Sequence, residues 1–207
     1  LAITETDNRA PAAQGHRPGK AESFAALHGD PATVPMRAPD PMANVGIQYT
    51  SGTTSRPKGV VWTHANALWG AKLCAMHETL TPEDVHLVYL PLFHTNAQSY
   101  SVLATLWVGG TVVVQPRFSA SRFWEVSLRH RCTWTSMVPF CVRALMGQEV
   151  PKAHHYRLWG NGIASLPTDA HFRVRTMGWW GMTETITHGI VSDPFVPAPP
   201  MTIGKPS

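Results

Sequence analysis

Between Tyr49 and Gly59 the chain reads Tyr-Thr-Ser-Gly-Thr-Thr-Ser-Arg-Pro-Lys-Gly. The hydroxyl side chains of Thr50, Ser51, Thr53, Thr54 and Ser55 crowd around Gly52, and the cations Arg56 and Lys58 flank Pro57. This mixture suits a polyphosphate. Gly52 lets the backbone approach closely, hydroxyls and amides donate hydrogen bonds, and Arg56 and Lys58 supply charge. It is not a Walker loop, which needs Gly-Lys-Ser/Thr opening a helix. Here Lys58 follows Pro57, and an apolar run follows Gly59. The same residue types also suit a polar hairpin loop that holds no ligand.

Three further stretches carry chemistry-bearing residues. Pro91-Leu-Phe-His94 places an imidazole in a loop, where a histidine is also an ordinary polar residue. Gly160-Asn161-Gly162 makes a turn on composition alone. Trp179-Trp180-Gly181-Met182-Thr183-Glu184 joins two flat aromatics to a hydroxyl and a carboxylate. A core aromatic cluster is the alternative for the tryptophans, and it suits Trp179. The adjacent pair His154-His155 does not share a helix face and has no carboxylate cluster beside it, so it reads as a surface loop rather than a metal site. No G-x-S-x-G hydrolase signature occurs.

These stretches need elements to hold them. Val45 to Tyr49 and Val60 to Trp62 are short apolar runs, which predict strands on either side of the first loop. Thr63 is placed to cap a helix running to about Leu80, with Leu68, Trp69, Leu73 and Met76 as its apolar face. A strand is expected over Val85 to Leu90, then a helix over Ala97 to Val108, stopped by Gly109-Gly110. A strand at Thr111 to Gln115 and a helix capped by Ser119 or Ser121 follow, then a strand at Cys132 to Val138. Pro139 opens another helix as a first-turn proline. Strands are expected at Tyr156 to Trp159 and Arg173 to Met177. Such alternation predicts an α/β fold with a mainly parallel sheet covered by helices. Loops at the carboxyl ends of the strands are then the natural ligand sites. Leu1 to Asn44, rich in Ala, Pro and Gly, reads as an irregular lead-in, with residues 45–207 as the folded part.

Composition narrows the classes. The 207 residues allow one good core, and a charged content of 14% favours a chain that buries much of its surface or belongs to something larger. The net charge of +4 comes without a Lys/Arg run, so nucleic-acid binding has little support, whereas anionic small molecules fit. Cys74, Cys132 and Cys141 lack metal or redox spacing and read as reduced, buried thiols of a cytoplasmic protein. No apolar run approaches the roughly 20 residues of a membrane span.

Taken as strings, Thr50–Gly59 and Trp180–Glu184 resemble motifs of the adenylate-forming enzymes: acyl-CoA synthetases, firefly-type luciferases and peptide-synthetase adenylation domains. Ser55 stands where the commonest form has glycine, and Ser-Arg-Pro-Lys-Gly-Val looks like the crotonobetaine/carnitine–CoA ligase branch. Thr183-Glu-Thr-Ile186, Gly189-Ile-Val191 and Ile203-Gly204 look like that branch too. The resemblance covers Val45 to Lys205 and implies part of the layered large domain of that family. It implies that Thr50, Ser51, Gly52, Thr53, Thr54, Ser55 and Lys58 hold ATP phosphates. It places His94 beside the acyl group, and Gly160, Asn161 and Gly162 against adenine and the acyl group. Trp180, where tyrosine is commoner, would pack on adenine, with Gly181 and Met182 close to the nucleotide. Thr183 would bond the α-phosphate and Glu184 would hold Mg²⁺.

The implied activity is an ATP-dependent acid–thiol ligase that makes acyl-AMP and passes the acyl group to CoA. Lys58, His94, Thr183 and Glu184 would be its catalytic residues, and a carnitine-like or medium-chain acid its substrate. The family's ribose-binding aspartate, hinge and lid lysine find no counterpart in Leu1–Ser207, so a central fragment of the large domain is expected, inactive by itself. The alternative is a non-catalytic nucleotide- or acyl-binding remnant.

Overall fold

The computed structural model describes residues 30–33, 36–50 and 57–207. It divides into two compact units, Leu1–Pro39 and Asp40–Ser207. Of the first, the described residues include a 3₁₀ turn, Pro31–Thr33, in which Asp30 accepts hydrogen bonds from Thr33.

The second unit opens with a hairpin. Strand β1 (Asn44–Thr50) pairs antiparallel with β2 (Lys58–Thr63), placing Tyr49 opposite Gly59 and Thr50 opposite Lys58. Helix α1 (His64–His77) follows directly. Thr63 caps it in a capping box: its side chain accepts from the Asn66 backbone N–H, and the Asn66 side chain accepts from the Thr63 N–H.

Among the described residues a seven-stranded sheet forms the body, in the order β4-β3-β5-β6-β7-β8-β9. β3 (Val85–Val88), β4 (Thr111–Val114), β5 (Trp134–Ser136), β6 (Leu158–Asn161) and β7 (Arg175–Gly181) run parallel. β8 (His188–Val191) and β9 (Lys205–Pro206) add antiparallel. A π-helix, Asn96–Leu103, runs into α2 (Ala104–Trp107) between β3 and β4. α3 (Ala120–Arg129) joins β4 to β5, α4 (Pro139–Leu145) joins β5 to β6, and the short α5 (Asp169–Phe172) precedes β7. The expected mainly parallel sheet covered by helices is what the chain forms.

Successive side chains of a strand leave on opposite faces, and the core divides accordingly. Trp159 joins Phe123, Trp124, Tyr156 and Phe172 in one cluster. Its neighbour Leu158 joins Cys74, Ala75, Tyr100, Trp134, Met177 and Trp179 in the other. All three cysteines are free and buried, as expected.

Several expectations need correction. α1 does not bury Leu68, Trp69 or Met76, which are exposed. It buries Ala67, Gly70, Ala71, Cys74 and Ala75. A side chain at Gly70 would meet Ser99 Oγ and Ile186 at 3.2 Å, so the small face is what lets α1 lie close to the next layer. The helix expected over Ala97 to Val108 is largely the π-helix. His154 is not a free surface residue: its Nε2 lies 2.8 Å from the Phe172 carbonyl oxygen and its ring stacks on Trp124. No helix among the described residues is long and apolar enough to cross a membrane.

Candidate active site

The carboxyl ends of the parallel strands carry the chemistry-bearing loops. After β3, the loop Pro91–Thr95 closes on itself: the His94 N–H donates to the Pro91 carbonyl at 2.9 Å, and the His94 carbonyl accepts from Gln98 N–H at 3.0 Å. The His94 imidazole turns back to accept the Asn96 N–H at Nδ1, 3.2 Å away. That bond places the proton of the neutral ring on Nε2. The side chain is otherwise exposed.

At the end of β6, Gly160 and Asn161 are buried and Gly162 is exposed. Gly160 has a packing reason: a Cβ there would fall 1.6 Å from the Trp179 ring. Its missing side chain seats the indole of Trp179. Asn161 Nδ2 is buried and has no hydrogen-bond partner among the described residues.

β7 then delivers its aromatic pair to opposite sides. Trp179 is buried and stacks on Trp134 at 5.9 Å, with the rings nearly parallel. Trp180 is 45% exposed. At Gly181 a Cβ would meet the Tyr100 hydroxyl at 2.2 Å and the Thr187 carbonyl oxygen at 2.6 Å, so this glycine also makes room for protein. A tight turn follows, in which the Thr185 hydroxyl and backbone both bond to Met182. Thr183 is half-buried in that turn and Glu184 is exposed.

These loops meet. A cleft of about 340 Å³ is lined by His94, Gly162, Trp180, Gly181, Met182 and Thr183, together with Thr95, Asn96, Tyr100, Trp179 and the segment Met137–Pro139. Residues separated by up to 89 positions, from His94 to Thr183, therefore share one wall-to-wall space. On the other side of the Pro91–Thr95 loop, Leu92 and Phe93 line a cavity of about 600 Å³ with Trp62, Leu103 and the β1 strand. The hairpin is tied to the cleft by Trp62, whose Nε1 donates to the Thr183 carbonyl at 3.1 Å. Thr183 Oγ1 also lies 3.5 Å from Thr95 Oγ1.

Other sequence candidates stand apart from this lining. Gly160, Asn161 and Glu184 are next to it in the chain but do not line it. Thr50 and the exposed Lys58 form the last described pair of the hairpin. Ser51, Gly52, Thr53, Thr54, Ser55 and Arg56 lie outside the described residues. Among the described lining residues there is no Lys, Arg, Asp or Glu. A cationic side chain for an anionic ligand would therefore have to come from beyond this lining. Tyr100 and Met137–Pro139 were not read as site residues. The end of β5 could have been found by the rule that places ligands at carboxyl strand ends; Tyr100, inside a helix, gave no such signal.

The AMP-binding enzyme family matches residues 3–207. The chain is 36% identical to the sulfoacetate–CoA ligase of Cupriavidus necator, over 85% of this chain and 36% of that enzyme. It is 37% identical to the crotonobetaine/carnitine–CoA ligase of Proteus mirabilis, over 71% of this chain and 30% of that enzyme. Among solved structures it resembles the O-succinylbenzoate coenzyme A synthetase of Bacillus subtilis in complex with ATP and magnesium ion. The TM-score is 0.67 at 29% identity, covering 75% of this chain and 34% of that one. The chain thus spans about a third of the length of the relatives it matches. By the family model, which matches nearly its whole length, and by these relatives, the chain belongs to the AMP-binding enzyme family, within the adenylate-forming superfamily.

Proposed function

We propose that the protein carrying this chain is an ATP-dependent, AMP-forming acid–thiol ligase. A carboxylate oxygen attacks the α-phosphorus of ATP, and the bond to pyrophosphate breaks. The thiol of CoA then attacks the acyl carbon of the acyl-AMP, and AMP leaves. The observation that carries this reading is the cleft where His94, Gly162 and Trp180–Thr183 converge from separate strand ends.

The residues present fit a nucleotide. Trp180 offers an exposed ring for adenine to pack on. A side chain at Gly162 would meet nothing within 4 Å, so there is open space at the strand end. Asn161 has a buried amide nitrogen left without a partner among the described residues, as expected of a strand end whose hydrogen bonding a ligand completes. Thr183 supplies a hydroxyl for the α-phosphate. Its link to Trp62 fixes the hairpin that presents Lys58. Thr50, Ser51, Gly52, Thr53, Thr54, Ser55 and Lys58 would then hold the leaving pyrophosphate, and Glu184 is the carboxylate that would hold magnesium. Magnesium, when bound there, would supply positive charge that offsets the charge of the phosphates. His94, with Nδ1 committed to Asn96, would turn the Nε2–H toward the acid. The protein's part is positioning and charge stabilisation.

A small carboxylic acid, carnitine-like or of medium chain length, is the proposed substrate. The three free, buried thiols support a reducing, cytoplasmic setting. Product analysis tests the reading. With ATP, Mg²⁺, CoA and a panel of carboxylic acids, the intact gene product should release AMP and pyrophosphate and form an acyl thioester. Release of ADP and phosphate with the thioester, or no acid-dependent product, would overturn it.

A further inference from the structure

Behind the cleft lies a group of buried titratable side chains that the proposed reaction does not use. Glu78, the C-cap of α1, and His188, the first residue of β8, are both fully buried. Glu78 Oε1 and His188 Nε2 face each other at 3.6 Å. That contact is longer than a hydrogen bond, and among the described residues neither oxygen of Glu78 and neither ring nitrogen of His188 has a hydrogen-bond partner, so each is the nearest polar group available to the other. The His188 ring stacks on Trp179 at 4.6 Å and lies 4.3 Å from the Tyr100 ring. Trp179 and Tyr100 both line the cleft.

We propose that Glu78 and His188 form a neutral pair, with the carboxyl proton directed at the imidazole Nε2, and that this pair positions Tyr100 and Trp179 behind the cleft. It rests on the cleft being the reaction site proposed above. An ion pair with no exposure would lose the solvation of two charges for one long contact. The end of a helix also disfavours a carboxylate, because its free carbonyls carry partial negative charge. Burial pushes Glu78 well above the usual carboxylate range, against the pull of Arg157 and helped by Asp84. Burial, with His77 adding to it, pushes His188 down to about 3. The other groups facing the pair agree. Burial and the neighbouring Glu78 raise Cys74 to about 12, and burial lowers the half-buried His77, so neither brings a stabilising charge.

The neutral pair has a mechanical consequence. Tyr100 Oη fills the space left by Gly181, 3.4 Å from the Thr187 carbonyl oxygen. Trp179 fills the space left by Gly160. A shift of the His188 ring is therefore passed to two strand ends that border the cleft. Glu78 and His188 are positioning residues and need not touch a substrate.

The test uses the intact gene product. The infrared difference spectrum of wild type against Glu78→Gln at neutral pH should contain the carbonyl stretch of a protonated carboxyl. Near-ultraviolet circular dichroism of the stacked tryptophans should survive in Glu78→Gln, whose amide can still donate to His188, and weaken in Glu78→Leu. Glu78→Leu and His188→Leu should each lower kcat/KM for adenylation about tenfold. The double variant should fall little further, while Glu78→Gln stays within about twofold of wild type. A carboxylate band instead of the protonated carbonyl would overturn the neutral pair. Glu78→Gln matching Glu78→Leu in dichroism, or Glu78→Leu leaving the dichroism unchanged, would overturn the positioning role. If wild type adenylates no acid, the proposed function falls, and the pair stands or falls on the two spectra alone.

Discussion

Replacing Gly160 by alanine should destabilise the protein, whereas Gly162→Ala, two positions on, should leave stability alone and weaken nucleotide binding. A Cβ at Gly160 would lie 1.6 Å from the Trp179 ring, far inside van der Waals contact. The indole has little room to retreat, because Trp134 stacks on it at 5.9 Å and His188 at 4.6 Å. Overpacking a tight core costs about 1–3 kcal/mol, and more where neighbours are pinned. Alanine recovers about 0.5–1 kcal/mol of backbone preference in a strand. With Trp179 pinned the cost sits at the top of that range, so the net loss is about 2–2.5 kcal/mol, equivalent to a Tm lower by about 4–10 °C for a chain of this size. Gly162 differs: nothing lies within 4 Å of its ideal Cβ, and its backbone is not among the left-handed glycines. Its substitution should cost less than about 0.5 kcal/mol. The added methyl would instead occupy space at the cleft. Urea unfolding followed by tryptophan fluorescence, with a parallel ATP titration, separates the two effects. The reasoning fails if Gly160→Ala is as stable as wild type, or if Gly162→Ala loses stability while binding ATP normally.

Substitutions at three further positions probe other parts of the account. Asp84 is buried and accepts hydrogen bonds from Arg157 Nε at 2.8 Å, Arg157 Nη2 at 2.7 Å, Thr133 Oγ1 at 2.6 Å and the Thr81 N–H at 2.8 Å. Burial pushes its carboxyl up, but the bonds from Arg157, Thr133 and Thr81 outweigh burial and hold it below the usual range. Asp84→Ala should therefore cost about 1–3 kcal/mol at neutral pH by urea unfolding. In wild type this stabilisation is present above about pH 4 and is lost as pH falls through the lower folded value, a loss that Asp84→Asn should not show in acid titration. Glu184→Gln should raise the Mg²⁺ needed for half-maximal adenylation while changing stability by less than about 0.5 kcal/mol, because Glu184 is exposed. Lys58→Ala, at an exposed position of β2, should slow adenylation and leave the unfolding curve in place; unaltered exchange kinetics would remove the hairpin from the mechanism.

Strand–helix alternation made the parallel sheet from β3 to β7 legible, because apolar runs bounded by turn residues have few other solutions. The strand-end motifs were legible as strings, and the fold explains why: each sits where the backbone leaves the sheet. The buried face of α1 was misread because Leu68, Trp69 and Met76 outweigh alanine in hydrophobicity. Ala67, Gly70, Ala71, Cys74 and Ala75 recur with equally good helical spacing, and only close approach to Ser99 and Ile186 selects them. Long-range packing also constrains Gly160 and Gly181, whose vacant side-chain positions hold Trp179 and Tyr100. Glu78 and His188 are 110 positions apart, and no local pattern announces that they meet.

The central claim is that this cleft serves adenylate formation, and isotope exchange between pyrophosphate and ATP reads that half-reaction directly. Labelled pyrophosphate should enter ATP only when a suitable carboxylic acid and Mg²⁺ are present, without any need for CoA. Trp180→Ala, which removes the exposed ring lining the cleft, should reduce the exchange by raising the KM for ATP. Exchange that is absent with every acid tried, or that proceeds equally well without Trp180, would contradict the account.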